Sequence, residues 1–378
     1  MHLFVVDLSV SLDMLSPIIY LINKKKQKVF FINVNPIQDY NKKNNKLINF
    51  LSKNKKFEKI DDNLGNFKFL FFCHLFKFIS FFSVRIFKKN LYWLWKKIWI
   101  SKFYLSEKFI EDIILKKKVK SITILEDLPR EKKALFFKIK NKTNIPLIMI
   151  NGGINTKPST AEHGLLKPDF YLASNLTKNH KKIKKSSYFK VFGCLRYSNF
   201  WINILDKVYE IKKKKNKKFT IGIFTNQSSS FSHEMNNLIK NLKEKNFNII
   251  INSKPREILP FNLTFQSKEI SSSETIEYSD VIISHSTSVI VEAIQRERQI
   301  IFPNYLKNFY KEEKKSLFQN NPKFFYPNSF ENLLKLIRKI QFKKKYFYRK
   351  KDFFIKNLVN INNDEIENRY VKFYKQFF

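Results

Sequence analysis

The residues of greatest chemical interest lie between Ser279 and Pro303. An apolar run, Val281 to Ile283, leads into Ser284, His285, Ser286, Thr287 and Ser288. Val289 to Gln295 then has helical character, and Ile300 to Phe302 stops at Pro303. This order predicts one βαβ unit whose hydroxyl-rich turn lies at the carboxyl end of a strand. The first N–H groups of a helix have no intrahelical acceptor, so such a turn, with its Ser286, Thr287 and Ser288 hydroxyls, suits an anion such as a diphosphate. Glu292 stands about one turn into the helix, within reach of a ribose on that diphosphate. His285 fits phosphate binding or orientation of the turn better than base catalysis. Ser and Thr before a helix are also ordinary N-caps, so the reading leans on two companion loops. Gly222 with Thr225, Asn226 and Ser228 follows one apolar run, and Lys254 with Arg256 follows another. Hydroxyls, cations and a carboxylate at successive strand ends suit a nucleoside diphosphate.

Transfer of a group from such a donor needs a base near the acceptor hydroxyl and a stabilised leaving diphosphate. Carboxylates at strand ends in the first half are the candidates: Asp127 first, then Glu126 beside it after Ser121 to Leu125, and Asp13 in a loop after the first strand. His163 in Ala161-Glu-His-Gly164 is a further candidate. Loop carboxylates also serve as helix caps. No Asp-X-Asp pair stands in a strand-end context, so neither a metal nor a resident cofactor is expected; the activated donor is a substrate.

The elements that must position these groups follow from periodicity. His2 to Asp7 and Lys28 to Val34 read as strands apolar on both faces, with a helix from Leu12 to Asn23 between them. Such strands imply a parallel sheet covered by helices. Ser121 to Leu125, the helix Arg130 to Lys140 and Pro146 to Ile150 repeat the pattern. Phe219 to Phe224, Glu234 to Lys245 and Asn248 to Asn252 open a second series, and helices from Phe330 to Ile340 and Asp352 to Phe378 close the chain. The expected fold is α/β, with two Rossmann-like domains facing across a cleft: 1–195 for the acceptor, with a helical insertion at about 62–118; 196–360 for the donor nucleotide; and 361–378 as a helical tail. Lys181 to Lys218 reads as the connection between domains. Of six glycines, Gly152, Gly153, Gly164, Gly193 and Gly222 fall at predicted strand ends or turns.

With 72 Lys and Arg against 32 Asp and Glu in 378 residues, the formal charge is +40, which would ordinarily point to nucleic acid or an anionic membrane. Here Lys, Asn, Ile, Phe and Tyr are inflated together, as a coding bias toward A and T produces. The lysine runs Lys116 to Lys118, Lys181 to Lys185 and Ile211 to Lys218 fall where connectors are expected, so solvated surface is the simpler reading. Cys73 and Cys194 make neither a disulfide framework nor a metal site. The chain opens without a basic leader, and a cytoplasmic location is expected, with the inner face of the membrane as the alternative. Phe67 to Trp99 is rich in Phe, Leu, Ile and Trp but interrupted by cations, which suggests amphipathic helices, buried or lying on a membrane.

Asp280-Val-Ile-Ile-Ser-His-Ser-Thr-Ser-Val-Ile-Val-Glu-Ala293 with its Pro-ended strand resembles the donor-site segment of GT-B-type transferases of surface-polysaccharide assembly, near the CDP-glycerol glycerophosphotransferases and sugar-nucleotide 2-epimerases. Lys254-Pro-Arg256 is similar to their basic motif. Gly193-Cys-Leu-Arg196 through Trp201 is similar to the segment leading into the second domain. Asn151, Gly152 and Gly153 take the place of a His-Gly loop, with Asn where the family carries His. The likeness covers roughly residues 145 to 305. It implies a glycosyltransferase-like enzyme that moves a sugar from a nucleotide-activated donor to a glycan or lipid-linked acceptor. The alternatives are a polyol-phosphate transferase or a sugar-nucleotide 2-epimerase. In another class stands a basic, non-catalytic protein of membrane surfaces or nucleic acid; nucleic acid is the less expected partner.

Overall fold

A computed structural model describes residues 1–6, 9–33, 42–60, 78, 107–128, 130–151, 168–174, 188–212, 218–225, 229–253, 271–284, 289–306, 324–343 and 365–378. The chain divides into two compact units, Met1–Arg196 with Asn362–Phe378, and Tyr197–Ile361.

The first unit is built on seven strands: β1 (His2–Val6), β2 (Val29–Asn33), β3 (Phe57–Ile60), β4 (Ser121–Leu125), β5 (Leu147–Ile150), β6 (Phe170–Ala173) and β7 (Tyr188–Val191). All pair in parallel, in the order β3-β2-β1-β4-β5-β6-β7. The order reverses between β1 and β4, the kind of place at which open parallel sheets hold ligands. The central strands are buried on both faces, as their unbroken Ile, Leu, Val and Phe content requires.

Around this sheet lie α1 (Ser9–Lys24), α2 (Lys42–Ser52), α3 (Glu107–Lys116) and α4 (Arg130–Thr143). Helix α1 buries Leu12, Leu15, Ile18, Ile19 and Ile22, spaced three and four apart. It runs through Pro17, with the Ser16 hydroxyl donating to the Leu12 carbonyl at 2.5 Å. Because α1 begins at Ser9, Asp13 is a helical residue and not a loop residue as expected.

The segment read as a connector, Lys181 to Lys218, contains β7 and the helix α5 (Asn199–Val208). Helix α5 starts on Ser198, whose hydroxyl accepts from Trp201 N at 3.2 Å, and it buries Trp201, Ile202, Ile204 and Leu205.

In the second unit, β8 (Thr220–Thr225), β9 (Asn248–Ser253), β10 (Val281–Ser284) and β11 (Gln299–Ile301) are parallel, in the order β11-β10-β8-β9. Its helices are α5, α6 (Ser229–Glu244), α7 (Ser272–Tyr278), α8 (Val289–Gln295) and α9 (Phe330–Lys343). Helix α7 starts in a capping box: Ser271 Oγ accepts from Glu274 N at 3.1 Å, and Glu274 Oε2 accepts from Ser271 N at 2.6 Å. The final helix, α10 (Ile366–Lys375), belongs to the first unit. Its Tyr374 hydroxyl lies 2.9 Å from Thr123 Oγ1, and its Tyr370 donates to the Gly193 carbonyl at 2.9 Å.

Among the described residues no helix is long and apolar enough to cross a membrane. The expected insertion is described at α3 and Phe78 only, so Phe67 to Trp99 lies almost wholly outside the described residues.

Candidate functional site

In the second unit the order reverses at the junction of β8 and β10, and the three loops singled out in the sequence follow β8, β9 and β10, which are neighbours. Register aligns their ends: Phe224 pairs with Ser284 on one side and with Asn252 on the other, and Thr225 pairs with Ser253. The carboxyl ends of three adjacent strands thus lead into all three loops from one edge, next to the start of α8. Asn252 is buried there, its amide donating to Thr275 Oγ1 at 2.9 Å. This is the edge where open parallel sheets hold ligands.

Two residues of this set have structural duties that the sequence did not disclose. Ser284 is the last residue of β10, fully buried and not in the turn. Gly222 lies inside β8, where an added Cβ would collide with Ser279 Oγ and approach Ile282 Cδ1 to 2.9 Å. Its smallness serves the packing of α7 and β10 against β8, which accounts for it without a ligand. Glu292 is 1 % exposed, and its Oε1 accepts from Arg296 Nε at 3.1 Å. Arg296 in turn binds Asp206 of α5 at 2.5 Å and Glu277 of α7 at 3.3 Å. Burial alone would make the guanidinium easier to deprotonate, but the carboxylates of Glu292 and Asp206 outweigh it and raise its pKa. Arg296 therefore fixes Glu292 and ties three helices together.

In the first unit the carboxyl edge holds a polar cluster. Glu126, directly after β4, is buried, and its Oε2 accepts from Asn151 Nδ2 and from the Tyr171 hydroxyl, each at 2.7 Å. Backbone bonds align the three strands: Glu126 N donates to the Ile150 carbonyl at 2.8 Å, and Asn151 N to the Leu172 carbonyl at 3.1 Å. Lys133 of α4, also buried, donates to the Glu126 carbonyl at 3.0 Å. Burial, and then the Glu126 charge, push the Tyr171 phenol far above its usual range, so it donates and does not ionise. Asp127, the favoured base in the sequence, is exposed.

Asp13 is drawn to the same edge, where its Oδ2 lies 2.7 Å from Nε of the buried Arg196. Arg196 follows Cys194, whose buried thiol is pushed up to about 12 chiefly by desolvation, so it is neither a thiolate nor a nucleophile at neutral pH.

Of the expected site residues, Glu126, Asn151, Asp13 and Arg196 come to the carboxyl edge of the first sheet, and Thr225 and Ser284 end strands at the corresponding edge of the second, with Glu292 buried inside α8. Gly152, Gly153, His163, Asn226, Ser228, Lys254, Arg256, His285, Ser286, Thr287 and Ser288 lie outside the described residues, as does the side chain of Thr225. Tyr171, Lys133 and Arg296 were missed. A signal existed for Arg296, since a Glu and an Arg four apart on a helix face each other. A run of Phe-Tyr-Leu-Ala at 170–173 closed by Ser174 could have placed Tyr171 on a strand. Among the described residues no group of His, Cys, Asp or Glu could hold a metal ion.

No protein-family model matches the chain, and no curated protein matches it either. Solved structures do. The UDP-GlcNAc 2-epimerase of Neisseria meningitidis bound to UDP-GlcNAc is 10 % identical, with a TM-score of 0.52 over 100 % of each chain. The wall teichoic acid polymerase TagF with CDPG is 12 % identical, with a TM-score of 0.52 over 100 % of this chain and 88 % of that one. The calicheamicin glycosyltransferase CalG4 is 6 % identical, with a TM-score of 0.51 over 100 % and 98 %. At such identities the likeness is one of fold: two Rossmann-like units of the GT-B type.

Proposed function

We propose that this chain is a GT-B-type transferase of surface-polysaccharide assembly, which moves a glycosyl group from a nucleotide-activated donor to a glycan or lipid-linked acceptor. The observation that carries this reading is the convergence of the β8, β9 and β10 carboxyl ends on one edge at a reversal of strand order. Backbone N–H groups and hydroxyls after β10, with Lys254 and Arg256 after β9, would bind the diphosphate. Glu292, held by Arg296, would accept from the ribose.

The first unit would supply the acceptor's base. Glu126 is the better candidate there, because Asn151 and Tyr171 hold its carboxylate in place, whereas Asp127 is exposed. The base takes the proton of the acceptor hydroxyl, whose oxygen forms the new bond to the anomeric carbon. The bond from that carbon to the diphosphate breaks, and the nucleoside diphosphate leaves with the electron pair. Location at the inner face of a membrane fits a lipid-linked acceptor.

The GT-B fold also houses an epimerase bound to UDP-GlcNAc and a polymerase soaked with CDPG, so the donor must be found by experiment. Thermal-shift screening against UDP, CDP, GDP and CMP and their sugar or polyol conjugates tests the reading, since a ligand that binds the native state raises Tm. A shift with a nucleoside diphosphate, followed by its acceptor-dependent release from the conjugate, supports transfer. Conversion of the sugar without release would make the chain an epimerase, and no shift with any nucleotide would end the proposal.

A further inference from the structure

The opposite edge of the first unit carries a feature that the transfer reaction does not use. In a parallel sheet covered by helices, every helix-to-strand turn falls at the amino ends of the strands. Three of these turns are lysine runs: Lys-Lys-Lys-Gln-Lys at 24–28 between α1 and β2, Lys-Asn-Lys-Lys at 53–56 between α2 and β3, and Lys-Lys-Lys-Val-Lys at 116–120 between α3 and β4.

The backbone knits them into one row. Val29 N donates to the Lys56 carbonyl at 2.8 Å, His2 N to the Lys28 carbonyl at 3.2 Å, and Lys120 N to the Met1 carbonyl at 2.8 Å. Runs far apart in sequence therefore sit on neighbouring strands, roughly 5 Å apart per strand. Every lysine in them is exposed except Lys117; Lys117 meets Glu58 at 2.6 Å, and Lys120 donates to the Phe378 main-chain oxygen at 2.8 Å.

Lysine near the end of a helix is favoured by the helix dipole, which accounts for Lys24 and Lys116. It does not account for Lys28, Lys55 or Lys56, which lie beyond the helices. In the second unit the turn before β8 is also lysine-rich, at 212–218, whereas the turns before β10 and β11 pair their charge: Arg298 binds Glu277 at 3.1 Å, and Asp280 accepts from Thr220 N at 2.7 Å. Amid the lysines of the first unit stands Leu115, 71 % exposed.

We infer that this amino edge is a docking surface for an anionic lipid bilayer. The three runs hold lysine and no arginine, so they offer mobile point charges suited to a diffuse surface potential. The planar forks that read phosphates and bases in nucleic acid are absent from them. An exposed leucine among the cations adds apolar area that can enter the interface. The surface is independent of the proposed transfer activity.

Cosedimentation of the full chain with phosphatidylcholine vesicles, with and without phosphatidylglycerol, tests it. Binding is expected only to the anionic vesicles, and it should weaken as salt is raised. Replacing Lys25, Lys28, Lys55 and Lys116 by Gln should weaken it on the order of a hundredfold or more. The same four positions changed to Arg should retain binding. Four Gln substitutions at Lys240, Lys243, Lys335 and Lys339, exposed lysines on helices α6 and α9 of the second unit, should change it less than about threefold, because they lie on helix faces and not in a lysine-rich turn. Leu115→Ser should weaken it by a smaller factor than the first Gln set. Equal losses in the two Gln sets, or equal binding to neutral vesicles, would overturn the inference. So would a first Gln set that loses affinity for duplex RNA while vesicle binding stays unchanged.

Discussion

Each of the two units has a buried carboxylate among its candidate site residues, and the two are held differently. Glu126 accepts hydrogen bonds from the neutral donors Asn151 and Tyr171. Glu292 is bound to a buried arginine that also binds Asp206 and Glu277. Asn151 and Tyr171 fix the position of the Glu126 carboxylate, as a general base requires. An arginine shared among three carboxylates organises helices, and presents Glu292 as a fixed acceptor. The difference suggests a division of labour, with chemistry on the first unit and grip on the second.

Substitutions can break that comparison. Glu126→Gln should lower donor turnover by about 10² to 10⁴-fold, the usual contribution of a general base, with nucleotide affinity unchanged. Asp127→Asn should cost less than about threefold; a reversed order would move the base to Asp127. Arg296→Met should lower stability to urea by about 3–5 kcal/mol, since it leaves buried carboxylates without their cation. The unfolding midpoint measures this, and a loss under about 1 kcal/mol would deny the hub its role.

Gly222→Ala should cost about 1–3 kcal/mol, because Ser279 and Ile282 must move aside, while the folded fraction keeps its nucleotide affinity. A variant of native stability with lost affinity would return Gly222 to the donor site.

A further expected effect, within the first unit alone, is one of pH. His2 is buried against Ser121, Tyr374 and Phe378, and desolvation, with the adjacent terminal amine and Lys120, lowers its pKa from 6.5 to about 3. Between those values the unfolded chain binds a proton that the folded chain does not. Its contribution is therefore complete above the unfolded pKa and falls as pH drops toward 3, by at most about 1.4 kcal/mol per pH unit. His2→Gln should make the acid limb of the stability profile shallower.

Much of this architecture was readable in the sequence because buried parallel strands are continuous apolar runs: His2 to Val6, Ser121 to Leu125 and Val281 to Ile283 could be read directly. β3 and β7 were not, since Phe-Glu-Lys-Ile and Tyr-Phe-Lys-Val lie on sheet edges and carry charge. At the site, residue types pointed to Glu126, Asn151 and Glu292, but partners arise from pairing across strands. That Tyr171 reaches Glu126 depends on β6 lying two strands from β4, which no local pattern encodes. Gly222 misled for a related reason: glycine beside an expected loop and glycine under a packed serine look alike in one dimension. Lys116 to Lys118 read as a solvated connector, and only strand order showed that it shares an edge with the lysines at 24–28 and 53–56.

Isothermal titration of UDP and CDP into the full chain, its Glu292→Gln variant and its Glu126→Gln variant addresses the division of labour most directly. The account predicts one saturable site for a nucleoside diphosphate, weakened about tenfold or more in Glu292→Gln by loss of a charge-assisted hydrogen bond and unchanged in Glu126→Gln. Absence of binding by either nucleotide, or equal weakening in the two variants, would contradict it.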